Sequence, residues 1–270
     1  MRLSYFSVEA KQDVSLNSET KAQMKLGWFK YINEMNECSL FPKGFFSRQP
    51  NQDDLQDPMF PMSYDFFHPD GIEGNLYAEE IKYYVGSYLT SEFFATHKLS
   101  LGMDISYSEL IDSWIKSNIH PVRGNVLQMQ HYDGDESWMR IADAKRRITS
   151  ITLQDEWKYS DSLIFTSGLR FDHYSDVGDS LTPRVAAVYL LSDEHILKIQ
   201  YGAAFRPPTF YELYSQNVAL HGNPEIEAET IHTVDAGYIF RNSDSVARIT
   251  LFHSKIKDII APFKKGFIGT

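Results

Sequence analysis

From Lys98 to Ser106 the chain alternates without a fault. Leu99, Leu101, Met103 and Ile105 point one way; Lys98, Ser100, Gly102, Asp104 and Ser106 point the other. Period two is the side-chain repeat of a β-strand with one oily and one polar face. The pattern recurs. Ala22, Met24, Leu26 and Trp28 oppose Gln23, Lys25 and Gly27, and Ile81, Tyr83 and Val85 oppose Lys82, Tyr84 and Gly86. Ile151, Leu153 and Trp157 oppose Thr152, Gln154 and Glu156, while Leu163, Phe165, Leu169 and Phe171 oppose Thr166, Gly168, Arg170 and Asp172. Leu197, Ile199, Tyr201, Ala203 and Phe205 oppose Lys198, Gln200, Gly202, Ala204 and Arg206. So many charges at consecutive inward places are hard to bury in a dry core. They suit a wet lumen, and the oily faces suit hydrocarbon. In lipid no backbone polar group can go unpaired, so such a sheet has to close.

The alternation predicts about ten strands: 3–9, 21–32, 77–89, 98–106, 147–159, 163–172, 182–190, 197–206, 230–240 and 247–257. Lys11 to Ser18 reads as a turn or loop. Asn33 to Asn75, rich in Pro and Gly, and Glu109 to Lys145 read as long irregular regions, which are uncommon inside a compact soluble domain. Tight connections fall at Thr90 to Thr96, Asp161, Ser192 to Glu194 and Asn242 to Asp244. If every connection reverses the chain, all the long ones lie on one side; the short loop Asp176 to Asp179 is the exception there. Short turns on one side and long loops on the other are the habit of an up-and-down transmembrane barrel. Tyr83, Tyr107, Trp157, Tyr159, Tyr189 and Tyr238 are candidates for interfacial girdles, or ordinary strand aromatics.

A chain of 270 residues makes one large domain or two small ones. Its formal charge of −10, with no basic block, argues against nucleic acid as the main partner. One cysteine, Cys38, excludes an internal disulfide framework and a cysteine-only zinc site. No run is long and apolar enough for a transmembrane helix, which says nothing against strands that cross with about 10 residues. The opening Met-Arg-Leu-Ser-Tyr-Phe-Ser-Val-Glu has no apolar signal core. Either the chain is cytoplasmic or its true N-terminus is missing.

Between Arg184 and Asp258 lies a motif pair. Phe205-Arg-Pro-Pro-Thr-Phe-Tyr-Glu-Leu-Tyr214 is followed by Gly222-Asn-Pro-Glu-Ile-Glu-Ala-Glu229. Pro207 and Pro208 stop a strand, and Gly222-Asn223-Pro224 marks a turn. The pair resembles the barrel signature of TonB-dependent outer-membrane receptors, carried by Phe205, Arg206, Pro207, Pro208, Glu212, Leu213, Tyr214, Gly222, Asn223, Pro224 and Glu229. Pro207, Ile226 and Ala228 depart from the usual Ala, Leu and Pro. Thr182-Pro-Arg-Val185 and Lys257-Asp-Ile-Ile260 are similar to the family as well.

The resemblance implies an all-β fold, part of an antiparallel up-and-down transmembrane barrel with long extracellular loops. About ten strands are present where plugged outer-membrane transporters have about 22. Residues 1–270 are then one incomplete barrel domain, without plug and C-terminal strands. The implied function is energy-coupled uptake of a scarce ligand, such as an iron chelate, haem or cobalamin, in the outer membrane of a Gram-negative bacterium. TonB would act through a plug domain missing from this chain. No reaction, catalytic residue, metal or cofactor is implied. The alternative is a complete small outer-membrane barrel enzyme of omptin type, with acids and histidines at its rim.

Arg206, Tyr211, Tyr214 and His221 are the candidate ligand-binding residues. Arg206 ends its strand on the lumen side, where it faces a ligand or pairs with a lumen carboxylate. Tyr211 and Tyr214 either stack on an aromatic ligand or pack the loop base. His221 stands between the motif halves, where the resemblance implies a haem-iron ligand in haem receptors; a solvated loop histidine is the other reading. His68 with Asp65 and Asp70, and His131 with Asp133 and Asp135, match no strict metal-ligand spacing. Asp53-Asp54 is a carboxylate pair in a loop, and no nucleotide loop, zinc-protease helix or serine elbow is present.

Overall fold

The computed structural model describes residues 2–41, 44–48, 64–68, 72–92, 94–118, 130–132, 140–141, 144–216 and 222–261. In chain order its elements are β1 (Arg2–Ser15), β2 (Thr20–Phe41), β3 (Gly44–Arg48), β4 (Tyr64–His68), β5 (Ile72–Ser91), β6 (His97–Ser117), β7 (Gln130–Tyr132) and β8 (Arg140–Ile141). There follow β9 (Lys145–Lys158), β10 (Leu163–Tyr174), β11 (Gly178–Leu190), β12 (His195–Arg206), α1 (Phe210–Tyr214), β13 (Ser215–Gln216), β14 (Glu229–Arg241) and β15 (Val246–Lys257). Ten of the strands form one antiparallel path in sequence order, β1-β2-β5-β6-β9-β10-β11-β12-β14-β15. β7 adds to β6, while β3 with β4 and β8 with β13 make two small separate ladders.

The sheet has one oily and one polar side. Ala22, Leu89, Leu101, Leu153, Leu169 and Pro183 lie opposite one another in a single cross-strand row. Leu101, Leu153 and Leu169 are about half exposed, at 50%, 53% and 44%. On the other side, Lys25, Gly86, Asp104, Ser150, Asp172 and Ser180 form the parallel polar row. There Lys25 pairs with Asp104 at 3.3 Å, Arg170 with Asp172 at 2.7 Å, and Gln200 donates to Asp235 at 2.7 Å. Among the described residues only Leu110, Ala144, Pro208 and Leu213 are buried apolar side chains. A water-soluble domain of this size buries many more. Among the described residues no second protein layer covers the oily row, as suits a face turned to hydrocarbon.

Aromatics bracket the apolar band. Trp157, Tyr159, Tyr189 and Tyr238 stand near the short-turn end, with Trp157 edge-on to Tyr159 at 5.1 Å. Trp28, Tyr83 and Tyr107 share one row near the long-loop end. The short turns follow local chemistry. Asn17 Oδ1 accepts from the Glu19 and Thr20 amides, and Asn242 Oδ1 from those of Asp244 and Ser245. At the short hairpin between β10 and β11, Gly178 takes φ 93°, a conformation open to glycine.

The structure extends several expected strands. Lys11 to Ser15, expected as loop, continues β1, and the turn is confined to Leu16–Glu19. Residues 33–41, 72–75 and 109–117, placed in irregular regions, belong to β2, β5 and β6. Asp179 lies within β11, not in a loop. The reason is physical. Alternation is imposed by the contrast between lipid and water; above the membrane both faces are wet, so the pattern lapses while the hydrogen-bond ladder runs on. There the outward side carries polar pairs: Lys30 with Glu79 at 2.6 Å, and Tyr77 stacked on Trp114 at 5.2 Å. At ~3.3 Å per residue the 22 residues of β2 reach far beyond an apolar band of about 25 Å.

Candidate functional site at the long-loop end of the sheet

β12 ends at Arg206 because Pro207 and Pro208 offer no amide to the ladder. Thr209 then caps the single turn α1. Its hydroxyl accepts from the Glu212 amide at 3.2 Å while the Glu212 carboxylate accepts from the Thr209 amide at 2.7 Å, a reciprocal capping box. This turn interrupts what was expected to be plain loop.

Arg206 ties the turn to its neighbours. Its Nε donates to Glu229 at 2.7 Å and its Nη1 to Glu212 at 3.0 Å. The second Glu229 oxygen accepts from the Ile260 amide at 2.8 Å. One guanidinium thus joins β12, α1, β14 and the segment after β15, and both lumen carboxylates offered to Arg206 by the motif are taken up. Burial raises the Glu212 carboxyl, but hydrogen bonds from Arg206 and Thr209 outweigh it and hold the group below the ordinary carboxylate range.

A second arginine, Arg146 on β9, holds the other side of the turn. Its Nε donates to both oxygens of Asp176 at 2.8 and 2.9 Å, and its Nη2 to the Pro208 carbonyl at 2.8 Å. The guanidinium lies over the rings of Phe210 at 5.0 Å and Tyr174 at 5.7 Å. The Arg146 and Asp176 side chains are 10% and 8% exposed. Around them Leu213, Pro208 and Ser215 are fully buried. Burial pushes the Tyr214 hydroxyl up, and the charge of Asp176 adds to it.

This clasp closes a seam. β11 and β12 pair only between Arg184–Gly202 and Leu190–Ile196. Beyond that, β11 pairs with β10 alone and β12 with β14 alone. Phe205 packs edge-on against Tyr174 across the gap at 5.2 Å, and the Arg146–Pro208 bond sits beside it. The loop after α1 returns through Gly222, whose amide donates to Ser215 at 2.6 Å, and Asn223, whose amide donates to Glu212 at 2.9 Å. A Cβ at Gly222 would stand 2.6 Å from backbone atoms of Leu213, Tyr214 and Ser215, so only glycine fits.

Of the sequence candidates, Arg206 bonds Glu212 and Glu229, Tyr214 lies beside Asp176 and Phe210, and Tyr211 lies on α1 with 38% exposure. His221, Asp53, Asp54, Asp70, Asp133 and Asp135 lie outside the described residues; Asp65 and His68 are on β4 and His131 on β7. Arg146, Asp176, Tyr174 and Phe210 were not anticipated. The even-numbered parity of β9 places Arg146 on the polar face, the one hint available; Asp176 and Pro208 are far off in sequence.

The family model described as TonB dependent receptor-like, beta-barrel matches residues 9–268. The chain is 27% identical over 187 residues to the ferrienterobactin receptor of Escherichia coli K12, covering 64% of this chain and 25% of that protein. It is 26% identical over 190 residues to the probable TonB-dependent siderophore receptor PirA of Acinetobacter baumannii, covering 63% and 24%. The chain therefore spans about a quarter of the length of these relatives. Among solved structures, the siderophore receptor PirA from Pseudomonas aeruginosa superposes with a TM-score of 0.52 at 14% identity, over 93% of this chain and 45% of that one. The copper transporter OprC does so with a TM-score of 0.65 at 16% identity, over 95% and 39%. At such identities these superpositions speak for the fold.

Proposed function

The chain belongs to the TonB-dependent receptor β-barrel family, and from that premise we propose that it forms part of the wall of an outer-membrane receptor for a ferric siderophore. The carrying observation is the two-sided sheet: Leu101, Leu153 and Leu169 are open on one face, and ion pairs line the other. Relatives that are siderophore receptors by name support a chelate of the enterobactin kind over haem or cobalamin. Residues 1–270 act as one barrel domain; a plug domain and further strands elsewhere in the protein complete the lumen, and TonB acts through the plug.

The chemistry proposed is transport without catalysis. An omptin-like enzyme would need these ten strands to close by themselves, yet the described path ends at β1 and β15 without a pair between them. Arg206 and Tyr214 serve the clasp that fixes the long loop; Tyr211 and His221 remain the residues of this loop proposed for ligand contact.

The test is iron uptake by the full-length protein in a Gram-negative strain stripped of its own siderophore receptors. Labelled iron supplied as ferric enterobactin should enter, and removal of TonB should stop it. Full-length protein recovered in the water-soluble fraction, or uptake indifferent to TonB, would remove the reading.

A further inference from the structure

The outward face of β14 and β15 changes character with height. On β15 the outward places run Ala247, Ile249, Leu251, His253, Lys255 and Lys257; opposite them on β14 stand Phe240, Tyr238, Ala236, Val234, His232 and Thr230. The lower half is apolar or aromatic. The upper half carries two lysines and two histidines and no carboxylate. β15 begins at Val246, directly after a tight turn. At ~3.3 Å per residue and a tilt near 45°, Lys255 and Lys257 stand about 20–30 Å above that turn, at the far edge of an apolar band of about 25 Å.

Other cations on the outer wall near this height have a counter-charge of their own. Lys30 meets Glu79 at 2.6 Å, Lys145 meets Glu109 at 3.0 Å, and His173 meets Asp179 at 2.6 Å. Among the described residues, Lys255 and Lys257 are exposed and make no ion pair. His232, opposite Lys255, is held in place: its Nδ1 bonds the Tyr201 hydroxyl at 2.9 Å and the two rings stack at 6.2 Å. Directly below the cations, Val234, Ile249 and Leu251 lie open at 46%, 64% and 71%.

We propose that this corner seats the phosphate headgroup of an outer-leaflet glycolipid, whose acyl chains run down over Val234, Leu251 and Ile249. Lysine stems lie along apolar surface while their ammonium groups stay at headgroup level, and basic clusters beside a membrane face attract anionic headgroups. Contacts from ammonium to phosphate are charge-assisted. The cations continue without a break into the open apolar strip. A lipid uses both surfaces; a free phosphate ion uses only the first.

The site is independent of the transported ligand and needs only the orientation of the sheet in the membrane. The full-length receptor in detergent micelles is titrated with bisphosphorylated lipid A and followed by native mass spectrometry. Lipid A should stay bound. Lys255→Gln with Lys257→Gln should weaken it by about 10-fold or more, and each single change several-fold. Lys255→Arg with Lys257→Arg should keep the affinity. Lys158→Gln with Lys198→Gln, which removes the same charge from the lumen side, should leave it unchanged. Lipid A stripped of its phosphates should bind as weakly as the outward double variant. Native affinity in the two outward single variants overturns the site, even where the double variant loses its heat-modifiable gel mobility. Equal weakening by the outward and the lumen pairs makes the attraction diffuse and overturns it too. Phosphatidylglycerol bound as tightly as lipid A, or lipid A displaced by millimolar inorganic phosphate, assigns the corner to anions in general and overturns the glycolipid. So does an unaltered receptor that retains no lipid A.

Discussion

Arg146 on β9 donates to the backbone carbonyl of Pro208 at 2.8 Å, across 62 residues of sequence. The bond fastens the loop that follows β12 onto a strand with which β12 does not pair. Because the same guanidinium also holds Asp176, it connects the short β10–β11 hairpin, the motif loop and the sheet in one buried contact.

Removing that guanidinium leaves Asp176 buried without its counter-charge. Arg146→Ala in the full-length receptor is expected to cost about 3–5 kcal/mol in equilibrium unfolding, the range for breaking a buried pair from one side. Lys, which cannot reach Asp176 and Pro208 with one fork, should recover only part. A loss under about 1 kcal/mol in either variant would deny the clasp its structural role.

Gly222 and Gly202 make a matched pair. A Cβ at Gly222 meets three backbone atoms at 2.6 Å, whereas one at Gly202 meets nothing within 4 Å. Gly222→Ala should destabilise by more than about 2 kcal/mol and expose the loop to protease; Gly202→Ala should stay within about 0.5 kcal/mol. Similar behaviour of the two would mean that the α1 return is not as tight as the geometry has it.

The assignment of faces predicts an asymmetry. Leu101→Arg or Leu169→Arg, in the oily row, should cost about 2–4 kcal/mol in a folding titration from lipid vesicles. Thr166→Arg, on the lumen side, should cost much less. Equal costs would contradict the orientation of the sheet.

Acid should loosen the clasp. The Glu212 carboxyl is depressed below its usual 4.5 in the folded state, so its contribution is complete above that pH and is lost as pH falls through the lower folded value. Hydrogen exchange of residues 207–216 should be flat from pH 7 to about 5, after correction for intrinsic rates, and rise below about 4.5. Glu212→Gln should remove the step, leaving exchange already raised at pH 7. A rise centred near neutrality would point to another group.

Much of the fold was legible because the membrane writes it into the chain. Leu99, Leu101, Met103 and Ile105 had to alternate with Lys98, Ser100, Gly102 and Asp104, since one side of the strand meets hydrocarbon and the other water. Asn17 and Asn242 mark two of the short turns through local hydrogen bonds that any reader of residue types can anticipate. The upper parts of β2, β5 and β6 were not legible, because water on both faces removes the contrast that imposes a period.

The sequence by itself determined which side of each strand meets lipid and where the motif breaks β12. Those are consequences of side-chain polarity and of proline's missing amide, both local. Only the tertiary structure decided that Arg206 would hold Glu212 and Glu229, and that Arg146 would reach Asp176 and Pro208. Those pairings depend on register between strands far apart in sequence, which hydrogen bonding sets across the sheet and no single segment encodes.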